Sequence, residues 1–533
     1  MHRRMNLSMP QLALRATALL LTVALAVLAA SPAAPVSAQG EVRARIAGGA
    51  PLTWDPAKAG ETSSVGVIAQ VFETLTAFDA QNRVQPALAR SWSVSDDGRQ
   101  IIFELRPDLR YSDGSPITAQ DVVESWFRVL EPANPSPLVS ILADVAGANE
   151  YLAGTASREE VGLRAEGSSV IVDLRRPASF FLAVTGSPTL AVVPPAMHGR
   201  LDGPVMPQAL VVSGAYVPTA QTASGIVLEA NPHYWAGEPA LGAIEIVNDL
   251  GGVSPVTAFE RGDIDYVRIG SYDASWIRYD PRLGPQLREV NDFTVHYYGF
   301  DTTVPPFDDA RVRRAFGQAV DWQRMVSLAD LKPATSMVPA GIPGRGDQDF
   351  RPAFDPDEAR RWLAEAGYPD GAGFPEISLI SNGYGFEVAV ADQLESVLGI
   401  RVGVEFMDFS DYLGIRRTVN RPHFWNIAWS ADYPHVHDFL GLLLETGSTS
   451  NEGEWSNADY DALIEQAAAT DDPAEQETLY TQAQHILRHE VPVIPVENSG
   501  GWALSRDGLL GAAPSGVGYL RYAGLAWAEG HGR

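Results

Sequence analysis

The stretch with the most chemistry in it is Phe424-Trp425-Asn426-Ile427-Ala428-Trp429-Ser430-Ala431-Asp432-Tyr433. It reads as a strand running into a loop, where an apolar run gives way to one carboxylate. A carboxylate placed there can offset the desolvation of a buried cation, or simply serve as a helix cap or turn residue. Just downstream, His435, His437 and Asp438, with Asp432 and His423, bring together the side-chain types that ligate metals. These histidines follow an Asp-Tyr-Pro turn and can equally point to solvent. Catalytic signatures are missing: there is no G-x-S-x-G elbow, no H-E-x-x-H, no G-x-x-x-x-G-K and no G-x-G-x-x-G after a strand. His489-Glu490 begins like a zinc-protease motif, but position 493 is Val493. Nothing singles out a glycosidase-like carboxylate pair among the 66 acidic residues.

With 533 residues and 45% apolar side chains, the chain can build a large core and more than one domain. It has no cysteine, which excludes disulfides, thiolate chemistry and a lipid-modified N-terminal cysteine. The net charge of −27 repels nucleic acid and anionic lipid, keeps the protein soluble, and suits cationic ligands. Only two lysines, Lys58 and Lys332, stand among 39 basic residues, so candidates for amine catalysis are few. Arg3, Arg4 and Arg15, the apolar run Ala16 to Ala30, and the small residues Val36-Ser37-Ala38 form the pattern of a secretory signal, residues 1–38, cleaved after Ala38. The apolar run is shorter than the roughly 20 residues of a spanning helix. A soluble, periplasmic protein is expected.

The elements that must position the carboxylate are legible as alternating strands and helices, hence an α/β protein. Strands are expected at Gln100 to Leu105, with Ile101, Phe103 and Leu105 on one face, and at Ser169 to Leu174, Ile226 to Glu229, Ile377 to Ile380, Val402 to Phe406 and Asn426 to Trp429. Thr118, with Asp121 as its reciprocal partner, caps a helix to about Leu130. A helix starting at Asp308 or Asp309 buries Val312, Ala315, Phe316, Ala319 and Val320 and leaves Arg311, Arg313 and Arg314 mostly in water. Asp355-Pro356-Asp357-Glu358 and Asp472-Pro473-Ala474-Glu475 start two more helices, one burying Trp362, Leu363 and Ala366, the other carrying Leu479, Ala483, Ile486 and Leu487 on one side.

Four stretches in this order change the reading. They are Tyr111-Ser112-Asp113-Gly114-Ser115-Pro116-Ile117-Thr118-Ala119-Gln120-Asp121-Val122-Val123; Ser213-Gly214-Ala215-Tyr216 followed by Asn231-Pro232-His233-Tyr234-Trp235-Ala236-Gly237; Phe307 to Phe316, continuing to Val320-Asp321; and Ala364-Glu365-Ala366-Gly367-Tyr368-Pro369. Over essentially the whole mature chain they resemble the family 5 extracellular solute-binding proteins of ABC importers, which include oligopeptide, dipeptide and nickel receptors. The resemblance implies a two-lobe periplasmic binding protein fold (type II, cluster C-like), α/β, with an extra α+β domain inserted in the first lobe. The first lobe would comprise 41–72, 188–292 and 497–533, the insertion 73–187 and the second lobe 293–496. It implies a monomeric receptor, not an enzyme, without cofactor or resident metal. Such a receptor closes over a small solute and delivers it to permease subunits.

In peptide-binding relatives the matching Trp-x-x-Asp carries the aspartate that pairs with the ligand's α-ammonium group, here Asp432 after Trp429. Backbone groups near Ala428, Ser430 and Ala431 would complete that site, and strand addition would hold the peptide backbone without side-chain selectivity. Trp425, Trp429, Tyr384, Tyr297 and Tyr298, with Tyr433, are candidate wall residues. Asn382, Asn426, and Glu61 with Thr62 on the opposite wall, are candidate polar contacts. Asn426 stands where some relatives carry an arginine for the ligand carboxylate, and Glu497-Asn498-Ser499 replaces a tyrosine cluster, so capture of a peptide C-terminus is not implied. A short peptide or another amine-bearing solute is the expected ligand. The alternatives are a metal or metal-chelate receptor, a sugar receptor, or a secreted hydrolase.

Overall fold

The computed structural model describes residues 43–201, 206–415, 422–513 and 516–531. The export signal with its cleavage point, and residues 41–42, lie outside the described residues.

One ten-stranded sheet runs through the molecule. Its order is Val402–Phe406, Ile377–Ser381, Phe424–Ser430, Leu287–Phe300, Val493–Ser505, Tyr266–Ile269, Arg43–Ala47, Ala243–Val247, Gly225–Ala230 and Tyr216–Gln221. The two central strands, 14 and 13 residues long, are antiparallel and join two lobes. One end of the pair carries the first-lobe strands through Tyr266↔Ser505, and the other end carries Phe424–Ser430 through Thr294↔Ser430 to Phe300↔Phe424. The register of the pair slips between Asn291 and Thr294, and again between His296 and Tyr297. Such irregularities bend a strand.

A separate four-stranded sheet has the order Ala89–Val94, Gln100–Leu105, Ser169–Asp173, Leu163–Glu166. Gln100–Leu105 buries Ile101, Phe103 and Leu105 as its alternation predicts. The helix Ala119–Val129 packs on this sheet, held at its start by the reciprocal Thr118–Asp121 cap. The core of this unit reaches beyond its own residues. Tyr433, Leu442 and Ala468 of the second lobe belong to the same buried cluster as Phe180, Phe181 and Trp126.

In the second lobe the helix Ala310–Ala319 is capped by Asp309 and buries Val312, Ala315, Phe316 and Ala319. Its arginines correct an expectation. Arg311 is exposed, but Arg313 is 3% exposed, donating to the carbonyls of Phe307 (2.6 Å) and Glu490 (3.0 Å). Arg314 lies against the Trp362 ring. The spacing predicted a solvated face, whereas that face is covered by the C-terminal end of the helix Pro473–Glu490. Trp362 and Ala366, expected to be buried, are only half-buried. Among the described residues no helix is long and apolar enough to cross a membrane.

Candidate functional site

The strand Phe424–Ser430 is bonded along its whole length to Leu287–Phe300. To its other neighbour, Ile377–Ser381, it pairs only through Phe424 and Trp425. From Asn426 to Ser430 its second edge is therefore open to strand pairing, and on an open edge every other residue presents its N–H and C=O outward. Tyr412 takes the Asn426 carbonyl. The rest of the edge leads directly to Asp432.

Asp432 lies in the loop between this strand and the helix Val436–Leu444. It is not a cap, because His435 caps that helix, its Nδ1 accepting the His437 amide at 3.1 Å. The Asp432 Oδ2 is shut off from solvent and has no hydrogen-bond partner. Asp438, in the first turn of the helix, is fully buried. Its Oδ2 accepts the Trp429 indole N–H (2.9 Å) and the Asp432 amide (3.4 Å), while its Oδ1 has no partner. Burial pushes both carboxyls up, Asp432 to about 7, and the Asp432 charge raises Asp438 further.

The surroundings come from three places. Within the loop and helix, the Tyr433 hydroxyl and His437 Nδ1 are hydrogen-bonded at 2.9 Å, and burial pushes both histidines down, His435 to about 4. From the first lobe come Tyr519 and Arg521. Arg521 donates to both oxygens of Glu73 at 3.1 Å, and Glu73 also accepts the Tyr234 hydroxyl at 2.7 Å. From the four-stranded unit, Phe180 stacks on the His437 ring at 3.5 Å. A Cβ at position 441 would sit 2.3 Å from His437 Nε2, so Gly441 is what lets that ring lie back against its helix. Arg176 bridges Asp144 and Glu445, fixing the four-stranded unit to the second lobe.

The other candidates divide into groups. Trp429, Ser430, Ala431 and Tyr433 gather around Asp432: Ser430 Oγ meets Thr294 Oγ1 at 2.8 Å, and the Ala431 amide donates to the Phe293 carbonyl at 2.8 Å. Ala428 stands opposite His296 on the neighbouring strand. Asn426 and Tyr384 belong to a second polar cluster, in which Asn426 donates to Glu387 at 3.0 Å and the Tyr384 hydroxyl to Glu497. Tyr384 also stacks on His296, whose burial pushes it down to about 4. Asn382 and Thr62 are exposed, and Glu61 caps the helix Thr62–Val71 through the Ser64 amide. Tyr298 packs at 5.1 Å from Trp322 within the second-lobe core, and Trp425 sits with Ile380 and Tyr412. Both are enclosed by side chains of their own lobe. Tyr297 is likewise a core residue.

Asp438 was passed over as a ligand contact in the sequence. It stands in the first turn after a histidine cap, where an acid ordinarily satisfies a helix N-terminus. The Nδ1 atoms of His435 and His437 are engaged, by the His437 amide and the Tyr433 hydroxyl, while His437 Nε2 makes no hydrogen bond. Among the described residues no group of three or more acidic or histidine side chains is arranged to hold an ion.

Residues 83–451 match the family model of the bacterial extracellular solute-binding proteins, family 5 Middle. The chain belongs to that family. It is 31% identical over 474 residues to the "Probable deoxycholate-binding periplasmic protein YgiS" of Escherichia coli (strain K12), covering 84% of this chain and 86% of that protein. Among solved structures, the family fold recurs in Haemophilus influenzae OppA complexed with the peptide RPPGFSPFR, with a TM-score of 0.80 at 23% identity, over 92% of this chain and 99% of that one. The unliganded open form of the Escherichia coli murein tripeptide binding protein MppA superposes with a TM-score of 0.69 at 25% identity, over 93% and 99%. Family membership makes this chain a solute-binding receptor with the two-lobe fold.

Proposed function

We propose that the receptor captures a short peptide, or another solute with a free amine, by closing its lobes over it. The ammonium group would sit at Asp432, and the peptide backbone would add along the open edge of Phe424–Ser430. The observation that carries this reading is the Asp432 Oδ2, shut off from water and without a partner at the end of that edge. A carboxylate in that state is costly unless a cation reaches it. The far end of the ligand meets Glu387 and Glu497 rather than arginine, which favours long, amidated or cationic peptides over those ending in a carboxylate near that cluster. The bile acid in the name of the YgiS relative is an anion, which paired buried carboxyls repel.

The same proposal includes export with cleavage after Ala38, a periplasmic location, a monomeric state and delivery to the permease subunits of an ABC importer. It includes the lobe bounds 41–72 with 188–292 and 497–533, 73–187, and 293–496. Asp432→Ala should weaken trialanine binding by more than about tenfold, the size of one hydrogen-bonded charge contact. Equal binding of N-acetyl-trialanine would refute the amine anchor. Mass spectrometry of solute retained on purification would identify the natural ligand.

A further inference from the structure

We propose that Asp438 is a second, specificity-determining carboxylate of the ligand site: it shares one proton with Asp432 while the site is empty, and an entering ammonium displaces that proton. This rests on the reading of Asp432 as amine anchor. Its own support is geometric. Asp438 is fully buried; Oδ2 accepts two N–H groups, the Tyr433 amide also acts on the carboxyl, and Oδ1 makes no hydrogen bond of its own. The neighbouring Asp432 Oδ2 has none either. If Asp438 only held the Trp429 indole and the start of its helix, a neutral asparagine would serve, and no acceptor would be left over.

Charge compensation points the same way. Tyr433 and Trp429 from its own segment and Tyr519 from the first lobe act directly on the pair; behind them lie His435 and His437, Arg521 and Glu73, Asp144, Arg175 and Arg176, and Tyr480 and Glu445. Each arginine is already held by carboxylates: Arg521 by Glu73, Arg175 by Asp144, and Arg176 by Asp144 and Glu445. Both imidazoles are driven neutral by burial. Two adjacent carboxylates with no cation of their own retain a proton between them. The balance closes on ligand entry: the empty pair carries one negative charge and one proton. The loaded site holds two carboxylates and one ammonium, again one net negative charge, and the displaced proton passes to water. The ammonium then donates to Asp432 Oδ2 and Asp438 Oδ1.

The test is isothermal titration of the mature protein with trialanine and N-acetyl-trialanine, in buffers of different ionisation enthalpy. The wild type should release close to one proton per trialanine, its affinity falling by up to about tenfold per unit as the pH drops from about 7 to about 5. Asp438→Asn leaves one carboxyl raised by burial alone, so it should release clearly fewer protons per trialanine above neutral pH, with a shallower pH profile, and should still reject the acetylated peptide. Amine-dependent binding without proton release in the wild type, or an unchanged proton count in Asp438→Asn, would overturn the shared proton and leave the anchor standing. Loss of amine discrimination would sink the anchor itself. Infrared spectra of the ligand-free protein give a readout independent of any ligand. The difference between wild type and Asp438→Asn near neutral pH should contain a protonated-carboxyl band, and its absence would refute the proposal.

Discussion

The bridge from Arg176 to Glu445 is made only when the four-stranded unit meets the second lobe, so it should set the balance between open and closed receptor. Arg176 donates to Glu445 Oε1 at 2.7 Å and Oε2 at 2.9 Å, and to Asp144 Oδ1 at 2.6 Å. Burial alone would lower the Arg176 pKa, but the bonds to Glu445 and Asp144 hold it above the ordinary value. On opening, Arg176 keeps Asp144, and Glu445 returns to water. Glu445→Gln therefore removes a charge from the closed form at little cost to the open one. A hydrogen bond to a charged group contributes roughly 1.5–3 kcal/mol. Because the Glu445 side chain is 18% exposed, a loss of about 1–2 kcal/mol is the better figure, about 5- to 30-fold in the closing equilibrium. Apparent ligand affinity should fall by the same factor, and fluorescence energy transfer between dyes on the two lobes should report a smaller closed fraction. The melting temperature should barely move, because the Asp144–Arg176 pair survives. Arg176→Met is the contrast: it leaves Asp144 buried without its partner and should cost about 3–5 kcal/mol of stability. Unchanged closure in Glu445→Gln would refute the reasoning.

Two further outcomes follow from burial. Arg313→Ala should destabilise the second lobe by about 2–4 kcal/mol in urea unfolding, because the Phe307 and Glu490 carbonyls lose their donor, while Arg311→Ala on the same helix should change stability by less than about 0.5 kcal/mol. His435 has a folded pKa near 4, below its unfolded value, so the unfolded chain binds more protons between about 4 and 6.5 and stability is lost as the pH falls through that window, by up to about 3 kcal/mol. The raised Asp432–Asp438 pair acts oppositely, adding stability in acid that is lost as the pH rises towards 7. His435→Asn keeps the cap acceptor, so its stability should match the wild type above about pH 7 and exceed it in acid, and parallel curves would contradict the assignment.

Much of the scaffold was legible because its signals are local. The Thr118–Asp121 cap, the alternation of Ile101, Phe103 and Leu105, and the Asp355 and Asp472 helix starts need only neighbours a few residues away. The strand to Ser430 and the loop carboxylate at Asp432 were equally plain. What failed was relational. The arginine face of Ala310–Ala319 looks solvated until residue 490 arrives on it from 177 positions away. Tyr298 and Trp425 alternate correctly, but only the register with Leu287–Phe300 decides which face each occupies and what covers it. The open strand edge, on which the peptide reading depends, is a property of where Ile377–Ser381 stops pairing, and no residue type announces it.

The same limit explains Asp438. In sequence it is the acid of a helix first turn beside two histidines; in space it is half of a carboxyl pair with nothing left to neutralise it. That pair and the Arg176 bridge pull in opposite directions. The bridge favours the closed receptor whether or not solute is present, whereas burying Asp432 and Asp438 together penalises closure over an empty site. A ligand ammonium removes the penalty without touching the bridge, so its differential affinity for the closed form is the free energy of the relieved carboxyl pair. Under our proposal Asp438→Asn should therefore raise the closed fraction of the empty protein, in the direction opposite to Glu445→Gln. The same pair of interlobe dyes reads both, and a shift of Asp438→Asn towards the open form would break the link between the carboxyl pair and closure.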